Sequence, residues 1–562
     1  MKKYIINLFQ NIEIPIYLFF ILVYPFLFIT YGLHYTDGPY HWVAYNGSRP
    51  PSDMTFLYAI FGNAWMHIAG DSVLSYRILS AILIVVMTSL PTLIILKMEN
   101  SWKEKLRFIS IGVILITTMA GYALGWNDFS RLFLSLIFII AYFYIKKDGL
   151  LYLVILGIFT GIVVAIRFPN ITIIIPLLLI IVTKDLYSKS NFSKILTKTS
   201  VYVLSSGFIY SLLWVGFIEY GGTDYSDYQV NASITSISLG KLFDQESGYF
   251  LLILLRSSVR SGFRIIEMIA VITLIMLIWQ RRSMIIEKSW MVNIGIITFF
   301  CIYFYNYVLG SGYHFNLSYF YSAFIILMIA LLFYDAKKKK NYNMMLFCFL
   351  TAMIGFVSAA GSNTGLRPLA GTYVFTFPII LFYVMKIISR DQRKIIYILL
   401  SLVVFFSLLD KTIIGNTYED GKIWQLKATV NHPKLQGIQT TEARKQQIED
   451  ILGVVDSIKV KKGEPLFFFY GGTSHLFSYL TDSWQHYGQP FNMSYQNTNH
   501  AEAFGNYISR TETKPYVFLI FGYPEIKYDY LDGGLINEKL GLNSYTLIRE
   551  GHNYQLFGLE RN

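Results

Sequence analysis

Two kinds of side chain in this sequence are placed to do chemistry: carboxylates at the ends of apolar runs, and arginines beside them. Asp37 stands in "HYTDGPYHW", just after the first apolar run, and Asp128 in "GWNDFSR", between two later ones. Arg167 occupies the short "RFPN" turn, Arg256, Arg260 and Arg264 recur in "LLILLRSSVRSGFR", and Arg367 stands in "NTGLRPLAG". A carboxylate can take the proton from an attacking hydroxyl, and guanidiniums can stabilise a departing phosphate. Arginines four apart lie along one face of a helix, where they can grip a phosphate or pyrophosphate, or equally an anionic lipid head group. An arginine in a very short turn between two membrane spans is costly without an anionic partner, which marks Arg167. For Arg367, substrate binding and an ion pair with the C-terminal part of the chain both stay open. Asp37 and Asp128 also have the plainer reading of solvated loop acids.

The elements that must position these groups are membrane spans. The chain has 562 residues, 54% hydrophobic and only 15% charged, against about 25% charged in a soluble domain. Apolar runs of roughly 17 to 20 residues follow one another, each long enough to cross a bilayer core. The net charge of +12 suggests nucleic acid until its distribution is read. The Lys and Arg gather in short segments between runs, at 97–107, 146–147, 184–198, 281–288, 337–340 and 386–394. That is the pattern of cytoplasmic loops, and it excludes nucleic-acid binding. The N-terminal run lacks a small-residue cleavage site and reads as a retained first helix. Cys301 and Cys348 both lie inside apolar runs, which argues against a disulfide or zinc site. His34, His41 and His314 are scattered without regular spacing and give no metal site.

Alternating basic and Lys-poor loops predict about thirteen spans, with the N-terminus cytoplasmic. The first runs from about Ile14 to Thr30, the second from about Ile78 to Leu96, the seventh from about Val201 to Glu219, and the last ends near Asp410. This topology puts Asp37, Asp128 and all five arginines on the external side. In the first external loop, Met54, Leu57, Phe61, Trp65 and Ile68 recur at intervals of three and four, which predicts an amphipathic helix. It either lies in the interface plane or packs as a connector on neighbouring helices. The fold class is therefore mainly α and polytopic for residues 1–410. From residue 411 the composition becomes that of a soluble domain, so 411–562 is expected to be a small external α/β domain. There, "TTEARKQQIEDILGVVDSI" predicts a helix capped by Thr440 or Thr441. "PLFFFY", "YVFLIF" and "YTLIREGHNYQLFGLE" predict strands, the last a hairpin. The aromatic-rich "YGGTSHLFSYLTDSWQHYGQPF" suits either sugar stacking or ordinary core packing.

A first span ending in an acid, then an in-plane helix, many spans and a terminal external domain together resemble the GT-C membrane glycosyltransferases. The nearest branches are the protein O-mannosyltransferases and the lipid A aminoarabinose transferases. The resemblance covers most of the chain as architecture, while the matching short motifs are few. It implies transfer of a sugar from a polyprenyl-phosphate carrier to a lipid, glycan or protein acceptor on the external face of the inner membrane, within the cell envelope. It gives Asp37 the part of catalytic base. Where the family often has a second acid directly after it, this chain has Gly38, so that part falls open to another acid such as Asp53. It matches Asp128 to an acid in the second external loop, and Arg167 to a basic residue close to the lipid phosphate. Some branches use a divalent ion, for which this sequence offers no ligand set. No P-loop pattern occurs, which suits a lipid-linked donor better than a nucleotide sugar.

Two other classes compete. A polysaccharide polymerase or ligase, or a lipid-linked-sugar flippase, also needs external arginines and many spans. A secondary transporter places ionisable groups near the midplane and often shows inverted repeats; here the spans are nearly free of charge and no repeat is evident.

Overall fold

The computed structural model describes residues 2–33, 37–47, 56–97, 102–119, 122–221, 245–285, 289–309, 315–359, 366–417, 420–458, 466–469, 474–482, 516–520, 546–551 and 554–558. Helices dominate. In chain order they are α1 (Lys2–Leu22), α2 (Asp37–Tyr45), α3 (Phe56–Ala69), α4 (Val73–Ile95), α5 (Trp102–Met119), α6 (Trp126–Lys147), α7 (Leu150–Ile166), α8 (Ile174–Tyr187) and α9 (Phe192–Gly221). Then follow α10 (Gln245–Ile285), α11 (Ser289–Tyr303), α12 (Phe315–Lys338), α13 (Tyr342–Ala359), α14 (Leu369–Tyr373), α15 (Phe377–Ile387) and α16 (Arg390–Leu409). Among the described residues, nine helical stretches are long and apolar enough to cross a membrane, and Ile12–Leu22, Leu150–Ile166 and Phe377–Ile387 are shorter apolar helices. The chain is built as a multi-pass membrane protein.

Several boundaries differ from the sequence expectation. The first helix runs from Lys2 to Leu22, and Tyr24–Phe28 form a separate 3-10 turn with Pro25 near its start. Proline has no N–H to give, so the α ladder yields just before it. The helix at 201–219 begins earlier, at Phe192. The first-loop helix α3 buries Phe56, Leu57, Tyr58, Ala59 and Gly62, while Ile68 is 79% exposed. The expected stripe packs at Leu57, Phe61 and Trp65 and ends before Ile68, while Phe56 stacked on Phe217 and Gly62 against the Tyr45 ring widen the buried face at the N-terminal half. Met54 lies outside the described residues.

The C-terminal part holds α17 (Glu442–Ser457), capped by Thr441, whose side chain accepts from the Arg444 N–H, and α18 (Ser474–Thr481). Two short antiparallel pairs come first: β1 (Asn416–Thr417) with β2 (Gly421–Lys422), and β3 (Ala428–Thr429) with β4 (Gln439–Thr440). A four-stranded sheet then runs in the order β5 (Leu466–Phe469), β6 (Tyr516–Ile520), β8 (Tyr554–Gly558), β7 (Thr546–Gly551). β5 and β6 are parallel, and β7 and β8 form an antiparallel hairpin.

One apolar cluster fills the helical bundle. A second joins the first loop to the C-terminal part, with Trp42, Tyr45, Tyr58 and Tyr76 beside Ile438, Ile448, Leu476, Phe477 and Tyr479. This second cluster carries the elements that bear the candidate site.

Candidate active site

The chain leaving the first helix is locked before it reaches Asp37. Arg77, fully buried, donates from Nη1 to the carbonyls of Ile29 and Tyr31 at 2.8 and 3.2 Å, and from Nη2 to that of Gly32 at 2.6 Å. Gly32 N–H donates to Gln439 at 2.8 Å, Gln439 N–H donates to Thr30 at 2.7 Å, and Leu33 N–H reaches the Asp420 carboxylate at 2.9 Å. Burial raises the Asp420 carboxyl above the usual range, and its bonds to Thr440 and Leu33 oppose that rise. Asp37 then opens α2; its side chain lies outside the described residues, as do Asp53, His34 and His314.

Below its first turn α2 is clamped onto the start of α6. Trp42 Nε1 donates to the Ala123 carbonyl at 2.9 Å, and the Tyr45 hydroxyl to that of Leu124. The His41 ring is buried edge-on against Trp126, 4.7 Å between centroids, and fills the space a Cβ at Gly125 would need. Gly125 is the N-cap of α6, and its N–H donates to Asp128 Oδ2 at 3.0 Å. The helices that carry Asp37 and Asp128 are therefore in direct contact.

Asp128 leads to the arginines. Its Oδ1 lies 3.7 Å from Arg131 Nη1, one turn along α6. Arg131 is held over α14 at Gly371, where any Cβ would overlap the guanidinium. Arg167 is buried at the break between α7 and α8, in extended backbone that ends α7. Its Nη1 donates to the Ser358 carbonyl at 3.3 Å, in the last turn of α13, where a cation is favoured by the helix dipole. Burial pushes the Arg167 guanidinium down to about 10, and the neighbouring charge of Arg131 pushes the same way. Asn170, fully buried in the same turn, braces it through Ser130 Oγ and the Val163 carbonyl, both at 3.0 Å.

The remaining arginines divide. Arg367 sits in the turn before α14, and the next residue, Pro368, accepts from Ser358 Oγ at 3.1 Å. Its turn thus borders the Arg167 site. The α10 arginines are carried elsewhere. Gly262 is the point of α10 that faces Leu366, 4.0 Å from a Cβ built there. Arg260 and Arg264 are each two residues from it, about 160° around the helix. Arg264 is instead paired with Glu267 at 3.3 Å. In the C-terminal "YGGTSHLFSYLTDSWQHYGQPF", Leu476, Phe477, Tyr479 and Leu480 are buried as packing; 483–491 lie outside the described residues.

No family model matches the chain, and no curated protein does. Among solved structures, it is similar to ArnT from Cupriavidus metallidurans bound to undecaprenyl phosphate, with a TM-score of 0.40 and 8% identity over 98% of this chain and 97% of that one. Among the described residues no group of three His, Cys, Asp or Glu side chains comes together to hold a metal ion.

Arg131 had a usable sequence signal, since its spacing of three from Asp128 puts the two on one helix face. Arg77, whose partners are distant in sequence, had none.

Proposed function

We propose that the protein is an integral-membrane glycosyltransferase that moves a sugar from a polyprenyl-phosphate donor to an acceptor hydroxyl. The observation that carries this reading is that Asn170 bonds Ser130 at 3.0 Å, which joins the turn holding Arg167 to the start of α6, where Arg131 and Asp128 stand. A buried cation in the turn and a second on the adjoining helix start suit an anion that spreads its charge over several oxygens, as a phosphate leaving group does. Arg367, from the adjoining turn, is a third donor.

In this reading Asp37 takes the proton of the acceptor hydroxyl, whose oxygen attacks the anomeric carbon. The bond to the phosphate oxygen breaks, and the arginines receive the departing polyprenyl phosphate. The displacement inverts the anomeric centre. Asp128 orients Arg131. Thirteen spans, a cytoplasmic N-terminus, residues 1–410 as the membrane unit and 411–562 as an external domain complete the proposal, with the site at the external face of the inner membrane.

The test is transfer by the purified full-length protein from a polyprenyl-phosphate sugar. Asp37→Asn is expected to abolish turnover while donor binding persists. Arg167→Ala is expected to lower turnover by about 10²- to 10³-fold, the usual loss for one preorganised donor to a developing oxyanion. Unchanged turnover in Asp37→Asn removes the base; unchanged turnover in Arg167→Ala removes the phosphate site.

A further inference from the structure

The row of arginines lies away from the proposed donor site on α10, which runs from Gln245 to Ile285 and is apolar enough to cross a membrane over Arg256–Arg282. Arg256 and Arg260 are exposed, and among the described residues neither forms an ion pair. Arg264 is 40% exposed, bonded to Glu267 and stacked over the Tyr307 ring at 5.3 Å, while the Tyr307 hydroxyl donates to Glu267 at 2.8 Å. Three guanidiniums thus share this stretch with one described carboxylate.

Their surroundings identify the medium they face. Val259, Phe263 and Ile266 beside the row are 56%, 67% and 63% exposed, whereas Ser261, Ile265 and Met268 are buried against the bundle. A large exposed apolar strip on a spanning helix is covered by hydrocarbon. Arginines bordering that strip reach out of hydrocarbon by extending their aliphatic stems toward the polar layer. The groups that meet them there are lipid phosphates, and an excess of positive charge selects lipids whose head group carries no compensating cation.

We propose that the stretch of α10 from Arg256 to Arg264 binds the head group of an anionic phospholipid. Arg256 and Arg260 are the phosphate donors, and Arg264, held by Glu267 and Tyr307, fixes the edge of the site. It is a structural-lipid site, separate from the donor phosphate at Arg167.

The experiment places the full-length protein in nanodiscs of phosphatidylglycerol or of phosphatidylcholine and counts retained lipids by native mass spectrometry. Wild type is expected to retain phosphatidylglycerol selectively and to lose that preference as salt is raised. Arg256→Gln/Arg260→Gln is expected to bind it about 30-fold more weakly, and Arg256→Lys/Arg260→Lys to keep part of the preference. Equal retention of phosphatidylcholine by wild type overturns the proposal without use of any variant. So does undiminished phosphatidylglycerol retention in the Gln double variant. Polyprenyl phosphate binding is expected to survive that variant and to fail in Arg167→Ala. If it fails in the α10 variant instead, the row belongs to the donor site and the head-group assignment is wrong.

Discussion

Lys434 and Asp71, far apart in the chain, meet at 3.2 Å and tie the C-terminal part to the end of the first loop. Lys434 Nζ also bonds Asp482 and the Tyr479 carbonyl and lies over the Tyr479 ring at 4.4 Å. Asp71 in turn accepts from the hydroxyls of Tyr76 and Tyr479 at 2.7 and 2.9 Å, and Asp482 accepts from Asn46, just after α2, at 3.1 Å. One lysine therefore anchors the far end of the helix that Asp37 begins.

Replacing Lys434 by Met keeps the stem and removes the charge, leaving Asp71 and Asp482 beside each other. Losing one partner of a largely buried pair costs about 2–4 kcal/mol, somewhat below the fully buried case because both carboxylates keep partial contact with water. Limited proteolysis is expected to cut Lys434→Met between the membrane unit and the C-terminal part faster than wild type. Equal cleavage rates would show that the apolar cluster alone holds the two together.

Gly371 leaves the space that the Arg131 guanidinium occupies. Gly371→Ala is expected to push Arg131 off Asp128 and lower sugar transfer by tenfold or more, on the order of the loss from misplacing a catalytic group. Overpacking at this buried position costs about 1–3 kcal/mol, so the thermal midpoint should fall modestly while the variant stays folded. A variant with wild-type turnover would detach Arg131 from the proposed chemistry.

His432 supplies a pH dependence. Burial lowers it from its ordinary value of 6.5, and Lys434 lowers it further, against the opposing charges of Asp482 and Asp456. The folded state then binds fewer protons than the unfolded one, so stability is full above about 6.5 and falls as the pH drops below it. One such group sets a slope no steeper than about 1.4 kcal/mol per pH unit. Thermal midpoints measured from pH 7.5 down to 5.5 are expected to fall in wild type and to fall less in His432→Gln. Parallel curves would place the titration elsewhere.

What the sequence determined by itself is the membrane character. A span is a property of about twenty consecutive residues, so apolar runs and the basic segments between them are readable without any fold, and among the described residues nine stretches are helices of spanning length. Pro25 is a local signal too, but α1 carries Pro15 and α4 carries Pro91 in their interiors, so proline alone does not fix where the first helix ends. The α3 stripe packs at Leu57, Phe61 and Trp65 but not at Ile68, because periodicity says which residues share a face while burial depends on which neighbours arrive along it. Only the tertiary structure decided which charges meet. Packing brought the ends of α6, α7 and α13 together, so Arg167 came to Ser358 and its turn to Ser130 beside the Asp128–Arg131 pair, and the same packing turned Arg260 and Arg264 away. Electrostatic partnership acts through space over a few ångströms, and its range in sequence is whatever the fold makes it.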